Sequence, residues 1–167
     1  MKYLDHTQPP IAEQINSLLE MVSFLQSAAV DLTPSQLHRK PAPSDFSLVE
    51  HVCHLRDLER EGVGVRIDRL LRDDDPVLPD FDGTAIALAR DYNSADFPTA
   101  LEAFRAARSA NVTRLASLDA SALARAGTQE GVGRLALGDI PGKMHEHDDV
   151  HRAEILQLRR QVLAVGN

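Results

Sequence analysis

Four stretches of the chain carry apolar residues at helical spacing, and this periodicity limits the possible folds more than any other feature. They span residues 10–29, 47–71, 96–118 and 139–162. Side chains three and four residues apart share one face of an α-helix, so each stretch predicts an amphipathic helix. Four such helices predict an all-α fold, a four-helix bundle with long connecting loops, in which residues 1–167 form a single domain.

Local signals mark the beginning of three of these helices. Ser47 and Glu50 have the spacing of a capping box at the start of the second helix. Asp96 suits the N-cap of the third helix, and Pro141 suits the first turn of the fourth. We therefore expect these helices to begin close to residues 47, 96 and 139.

The segments between the helices are expected to be mostly loop, without strands. Shorter helical turns are predicted at residues 34–37 and 84–92. The connectors 72–83 and 121–139 are long for simple antiparallel hairpins. At least one of them is therefore expected to cross the bundle or to carry function.

Composition and charge exclude several classes of partner. The formal net charge is −7 and the basic residues are scattered, so no phosphate-binding face and no nucleic-acid partner is expected. No apolar run approaches the roughly 20 residues of a membrane span. The N-terminal residues contain no apolar core of a secretory signal, which favours a cytoplasmic location. A small-molecule substrate is the partner that remains.

Two histidines lie on the apolar face of the predicted fourth helix. The motif MHEHDDVHRAEI, residues 144–155, contains three of the seven histidines in the chain. The apolar stripe of this helix comprises Ile140, Met144, Ile155, Leu158 and Val162. At about 100° per residue, His147 and His151 fall within that stripe, whereas His145 falls on the far side and is expected to be solvated.

Two imidazoles on a core-facing stripe need partners, because unpaired polar groups are costly to bury. One interpretation is that each ring makes an ordinary hydrogen bond. The other is that His147 and His151, one turn apart, share a single cation. The motif by itself leaves both interpretations open.

A third ligand would have to come from another helix, and the second helix offers two histidines. Its sequence EHVCHL contains His51 and His54, near the centre and at the edge of an apolar stripe. That stripe comprises Leu48, Leu55, Leu58, Gly62 and Val65. Periodicity does not choose between the two histidines. Three imidazoles would suit Zn²⁺ or Ni²⁺ and would leave a coordination position for water or substrate.

Two longer motifs resemble those of the DinB/YfiT-like superfamily of four-helix bundles. FSLVEHVCHLRDLE stands in the place of that family's Trp-Ser…Glu…His-Leu…Glu motif. GRLALGDIPGKMHEHDDVHRAEILQL stands in the place of its Thr-Leu…His-Asp…His…Gln-Ile…Leu motif. The resemblance extends over nearly the whole chain and implies a single DinB-like domain. It also implies a metal held by His54, the histidine directly before Leu, together with His147 and His151.

The chain departs from the family pattern at two positions near this site. Phe46 replaces the frequent Trp, and Glu154 replaces the Gln before Ile155. Neither change removes a ligand. The carboxylate of Glu154 is expected to lie beside the site, where it could orient an imidazole.

Four other residues are candidates for supporting roles or for none. Arg108 falls on the apolar stripe of the third helix and is either an ion-paired core residue or a clamp for a substrate carboxylate. Asp57, one turn beyond His54, either contacts the site or forms a surface ion pair. His51 is expected to face the interior beside the ligands. Cys53 is expected to be buried and inert.

The resemblance implies two alternative functions. The superfamily includes metal-dependent thiol S-transferases that use low-molecular-weight thiols and proteins described as metal-dependent hydrolases. The first hypothesis is therefore an enzyme in which Zn²⁺ or Ni²⁺ activates a thiol or water against a small molecule. The second is a non-catalytic interaction or binding module that forms a homodimer, with a structural metal or none. No catalytic residue is assigned from the sequence.

Overall fold

A computed structural model describes residues 9–165, and long helices dominate it. The helices are α1 Ile11–Ser17, α2 Glu20–Ala29, α3 Pro34–Leu37, α4 Leu48–Asp57, α5 Gly64–Arg72, α6 Gly83–Arg90, α7 Phe97–Ala116, α8 Ala120–Leu123 and α9 Ile140–Ala164. A π-helix, Leu58–Val63, joins α4 to α5. The pair α1–α2, the continuous α4–π–α5 unit, α7 and α9 pack together. The predicted four-helix bundle is confirmed.

The first bundle member is interrupted where a single helix was expected. The helical hydrogen bonding changes at Leu18 and Leu19, and the Val22 amide donates to the Leu19 carbonyl. The Leu18 carbonyl is then available to another donor and accepts a hydrogen bond from Nη1 of Arg108. The interruption therefore connects the first member to α7.

The second bundle member begins as predicted but changes its phase in the middle. The capping box is formed, since Ser47 Oγ accepts from the Glu50 amide and Glu50 Oε2 accepts from the Ser47 amide. Past residue 57 the π-helix adds about one residue per turn. As a result Val65, predicted to continue the buried stripe, is half-buried, while Ile67 is fully buried. The predicted stripe is wrong beyond the π-helix.

The expectation of no strand is also wrong, because the two long connectors form a small sheet. Strand β1 Val77–Leu78 pairs in parallel with β2 Ala126–Gln129, and β2 pairs antiparallel with β3 Gly133–Ala136. Gly131 and Gly133 supply the positive φ angles of the hairpin turn. These short, glycine-rich strands lack a regular apolar alternation, so the sequence gives little signal for them.

The buried apolar residues form two clusters that meet near the middle of the bundle. Along α9, Met144 belongs to one cluster and Ile155 to the other, and His147 and His151 lie between them. Along the second bundle member, Leu55 belongs to the same cluster as Ile155, and Val63 belongs to the same cluster as Met144. His54 lies directly before Leu55, close to this boundary. Across residues 9–165, none of the helices combines the length and the apolar character needed to cross a membrane.

Candidate metal centre

Three histidines from two helices converge at the junction of the apolar clusters. His54 comes from α4, and His147 and His151 come from successive turns of α9. The Nε2 atom of His147 is 3.3 Å from Nε2 of His54 and 3.3 Å from Nε2 of His151. The three residues form a group whose ligand atoms lie within 4.8 Å of one another. His54 and His151 are buried and His147 is half-buried.

The spacing of these nitrogen atoms fits a tetrahedral metal ion. Two nitrogen ligands at about 2.0–2.1 Å from a tetrahedral Zn²⁺ would be separated by roughly 3.3–3.4 Å. Both observed separations from His147 are 3.3 Å. Three neutral imidazoles that direct Nε2 at one another also cannot all be satisfied by mutual hydrogen bonds, whereas one cation can accept all three lone pairs. The chemistry of the donor set therefore fits a divalent transition metal.

His51 lies behind His151, on the side away from the other two histidines. Its Nδ1 atom is 2.9 Å from Nδ1 of His151. When His151 uses Nε2 as a ligand atom, its proton resides on Nδ1 and can be donated to His51. A ligating histidine commonly donates its second N–H in this way, which fixes the tautomer and the ring orientation. His51 thus contacts a candidate ligand from behind and is not part of the His54, His147 and His151 group.

Glu154 lies beside the same two rings, as expected. Its Oε2 atom is 3.5 Å from Nδ1 of His151 and 3.9 Å from Nδ1 of His51. The side chain is 54% exposed, so water screens its charge. His51, His151 and Glu154 form a second group of possible ligands that shares His151 with the first.

The ring of His54 is enclosed by aromatic side chains and by the backbone of α6. Phe46 and Phe81 lie with ring centroids 5.8 Å from that of His54. Nδ1 of His54 is buried and has no hydrogen-bond partner among residues 9–165. A Cβ atom added at Gly83 would lie 2.3 Å from Cε1 and 2.5 Å from Nδ1 of this ring. Glycine at position 83 therefore makes room for the predicted ligand.

We expect Gly83→Ala to weaken metal binding about tenfold or more, an effect comparable with loss of a residue that orients a ligand. The added methyl group would overlap the ring of His54 and force it to move. The matched control is Gly142→Ala in α9, where the new Cβ would meet only Gln14 Oε1 at 3.7 Å. Zn²⁺ affinity measured by chelator competition should fall only for Gly83→Ala; equal affinities for the two variants would contradict the close approach.

Burial keeps the histidine rings of the cluster neutral. Desolvation, assisted by the neighbouring imidazoles, lowers the pKa of His51 to about 3, of His54 to about 4 and of His151 to about 2. Desolvation lowers the pKa of His147 as well. Metal ions bind the neutral form of imidazole, so the rings are held in the state that a ligand requires.

These pKa values predict acid sensitivity of the metal-free protein. Above pH 6.5 the rings are neutral in both the folded and the unfolded chain. As the pH falls from 6.5 toward 4, the unfolded chain takes up protons that the buried rings do not, so the free energy of unfolding should decrease. Denaturant titrations of chelator-treated protein across this range would test it. A constant free energy of unfolding would show that the rings are protonated in the folded state.

Arg108 lies in a buried ion network at the edge of a cavity that also reaches His54 and His147, and its own side chain is almost inaccessible to water. Its Nε atom donates to Glu59 at 2.7 Å, and its two Nη atoms donate to Asp148 at 2.7 and 2.9 Å. A fourth bond reaches the Leu18 carbonyl. Because these protein groups engage the guanidinium, the interpretation of Arg108 as a clamp for a substrate carboxylate is replaced by the ion-paired core interpretation.

Asp57 is buried and faces away from the histidines. It accepts hydrogen bonds from Arg56, Arg90 and the hydroxyl of Tyr92, at 2.6 to 2.7 Å. Its carboxylate thus ties α4 to the end of α6 and to Tyr92 just beyond it, and it is not hydrogen-bonded to His54. The ion pair with Arg56, considered from the sequence alongside one with Arg60, is present, but it is not a surface pair because Asp57 is 2% exposed.

Two other expectations concern residues outside the cluster. His145 points away from the centre as predicted, but it is half-buried and not solvated. Its Nε2 atom lies 2.8 Å from the Gln14 carbonyl and 3.0 Å from Ser17 Oγ. Cys53 is fully buried, and burial raises the pKa of its thiol, as expected for an inert cysteine.

Two cavities open on opposite sides of the histidine cluster. The first, about 440 Å³, reaches His51, His54, His151 and Glu154. The second, about 290 Å³, reaches His54 and His147 and extends to the sheet and to Arg66. Each cavity is thus bordered by two of the three clustered histidines, with His54 lining both.

Several residues around the centre were not identified from the sequence. Asp148 directly follows His147 in the His-Asp element of the family motif, so a signal for it was present. Arg66 lies beyond the π-helix, where a uniform helical wheel has lost its phase. Gly83 and Phe81 come from a connector whose position depends on the tertiary fold.

Comparison with known proteins agrees with this arrangement. The sequence matches the DinB superfamily over residues 19–155, which include all three histidines of the centre. YfiT from Bacillus subtilis, described as a probable metal-dependent hydrolase with an unusual four-helix bundle topology, has a similar structure with a TM-score of 0.81. The two are 21% identical over 96% of this chain and 93% of YfiT, a level at which the likeness concerns the fold. Curated proteins provide no significant match. On the strength of the family match, the chain belongs to the DinB superfamily.

Proposed function

We propose that the protein is a metal-dependent enzyme for small molecules, with His54, His147 and His151 as ligands of one Zn²⁺ or Ni²⁺ ion. The observation that carries the proposal is the 3.3 Å spacing of their Nε2 atoms beside two open cavities. Three imidazole ligands leave a fourth position for a reacting group. When bound, such a metal acts as a Lewis acid and lowers the pKa of a coordinated water or thiol.

The surrounding residues prepare this site for chemistry. With Nε2 of His151 on the metal, His51 would accept a hydrogen bond from the Nδ1–H group of His151, which would hold the other nitrogen of that ring toward the centre. Phe46 and Phe81 shield His54 from water on two sides, which strengthens electrostatic interactions at the centre. The Arg108 network holds Asp148, and thereby the turn of α9 that carries His147.

The reaction we propose is either transfer of a low-molecular-weight thiol to an electrophile or hydrolysis. Both use a nucleophile activated at the fourth position, and both suit the small cavities. The description of YfiT as a probable metal-dependent hydrolase supports the hydrolytic alternative. The negative net charge supports a small molecule over a nucleic acid as substrate.

The alternative of a non-catalytic dimeric module with a structural metal is less well supported. A structural zinc site is normally closed by four protein ligands. Within the described part of the chain, the group that includes His54 and His147 has three members, and Glu154 lies on the Nδ1 side of His151. The open cavities at the cluster fit a reacting centre better than a closed one.

The test is turnover by chelator-treated protein reloaded with Zn²⁺ or Ni²⁺. One assay offers cysteine and a chromogenic aryl halide, and the other offers nitrophenyl esters without thiol. We expect one of them to show turnover that a chelator removes, that metal restores and that His54→Ala abolishes. Loaded protein that turns over neither substrate class would favour the interaction module.

A further inference from the structure

The second cavity contains a half-buried cation, Arg66, that has no partner among residues 9–165. Arg66 takes part in none of the ion pairs or side-chain hydrogen bonds found among residues 9–165, and its Nε atom is buried with no acceptor. Burying a charged hydrogen-bond donor without an acceptor is unfavourable. Such a group therefore indicates a ligand that supplies the missing acceptor. We call the space lined by Arg66, His54 and His147 the Arg66 cavity.

The other two cations of the Arg66 cavity, and two of its three carboxylates, are already paired. Arg108 neutralises Glu59 and Asp148. Lys143 is ion-paired with Glu146 on the surface, at 2.8 Å. The Lys143 pair lies in solvent, which screens its charge. Among the described residues, the guanidinium of Arg66 is the cationic group of the cavity that has a buried nitrogen and no ion-pair partner.

Asp80 is the one acidic residue of the cavity that could compete for Arg66. Its Oδ1 atom accepts a hydrogen bond from the Phe81 amide, and it makes no ion pair with Arg66 within 4.0 Å. Burial lowers the pKa of Arg66, and the charge of Asp80 opposes that effect without cancelling it. Asp80 therefore leaves the guanidinium incompletely satisfied.

The walls of the Arg66 cavity are mostly apolar, and they lead to the histidine cluster. The apolar part of the walls includes Leu58, Val63, Phe81, Leu135, Ile140 and Met144. At about 290 Å³, the cavity is at the small end of the range for ligand sites. A ligand that fits these features has a short apolar body and one anionic group.

We propose that the Arg66 cavity binds a small amphiphilic carboxylic acid, with its carboxylate on Arg66 and its other end at His54 and His147. This assignment rests on the proposed function for the role of the bound molecule as a substrate. A guanidinium presents two parallel N–H donors that match a carboxylate. A single available cation balances a carboxylate, whereas a phosphate dianion would require further donors or charges.

The test compares two probes of equal shape, hexanoate and hexanamide, which differ in charge at one end. Their dissociation constants are measured by calorimetry for metal-free and Zn²⁺-loaded protein. We expect hexanoate to bind more tightly in both forms, and Arg66→Gln to weaken hexanoate about tenfold or more while leaving hexanamide unchanged. Arg66→Lys, which keeps the charge but loses the paired donors, should retain part of the preference.

Arg60→Gln is the matched control, because it makes the same charge change on the same bundle member at an exposed residue outside the cavity. It should bind hexanoate as the wild type does. Thermal unfolding of Arg66→Gln should show no loss of stability, since Arg66 forms no internal pair.

Three results would overturn the proposal. Hexanoate that binds no better than hexanamide would remove the carboxylate assignment. A preference that survives in Arg66→Gln and requires Zn²⁺ would place the anion on the metal. Inorganic phosphate that binds more tightly than hexanoate through Arg66 would change the class of ligand. If the protein does not bind metal but still binds hexanoate through Arg66, the proposed enzyme is contradicted. The proposed anion site is then still supported.

Discussion

Replacing His147 with alanine should abolish tight metal binding, while replacing His145, two residues earlier on the same helix, should leave it intact. Nε2 of His147 lies 3.3 Å from the ligand atoms of both other histidines, so its loss removes the central member of the group. His145 instead contacts Gln14 and Ser17 on the first bundle member. Loss of a residue that only orients a ligand costs about 10–100-fold in affinity, and loss of a ligand should cost more.

Alanine substitutions on α4 should likewise distinguish His54 from His51 by their effects on metal affinity. His54→Ala removes a proposed ligand and should behave like His147→Ala. His51→Ala removes the acceptor behind His151 and should weaken binding by about 10–100-fold. Zn²⁺ and Ni²⁺ affinities, measured by chelator competition on variants with unchanged circular dichroism, provide the comparison. Equal losses for His145→Ala and His147→Ala, or a greater loss for His51→Ala than for His54→Ala, would contradict the proposed ligand set.

The bundle and the inward histidines could be predicted because both depend on local periodicity. An uninterrupted α-helix such as α9 keeps a constant angle per residue. The predicted stripe therefore matches the buried face, with His151 buried and His147 half-buried at its edge. Ser47 and Glu50 likewise act within one helical turn, and their capping box is present.

The prediction failed where the backbone leaves regular geometry. The π-helix changes the phase of the second bundle member, so Ile67 is buried in place of Val65. The small sheet joins segments about 50 residues apart, and its pairing depends on the tertiary fold that brings β1 to β2. Neither feature has a regular pattern in the sequence.

The role of Arg108 could not be predicted from the sequence either, for a different reason. The helical wheel placed it on the apolar stripe correctly, but its partners come from two other bundle members and from the Leu18 carbonyl. Glu59 belongs to the π-helix, where regular periodicity does not apply. The choice between a core ion network and a substrate clamp required the positions of these partners.

Arg108→Met should therefore lower stability strongly and leave the metal centre able to bind. Removing the guanidinium would leave Glu59 and Asp148 buried without their cation, and both carboxylates are nearly inaccessible to water. Breaking a buried pair in this way typically costs about 3–5 kcal/mol. For a domain of this size each kcal/mol corresponds to roughly 2–4 °C, so the melting temperature should fall by roughly 6–20 °C.

Arg105→Met on the same helix is the control, because Arg105 is 43% exposed and its ion pair with Glu102 is a surface contact. It should change the free energy of unfolding by less than about 1 kcal/mol. Adding Glu59→Gln and Asp148→Asn to Arg108→Met removes the uncompensated charges and should recover part of the lost stability. Zn²⁺ titration well below the melting temperature should still give one ion per chain for Arg108→Met. An unchanged melting temperature combined with impaired turnover would mean that the guanidinium serves the substrate and not the core.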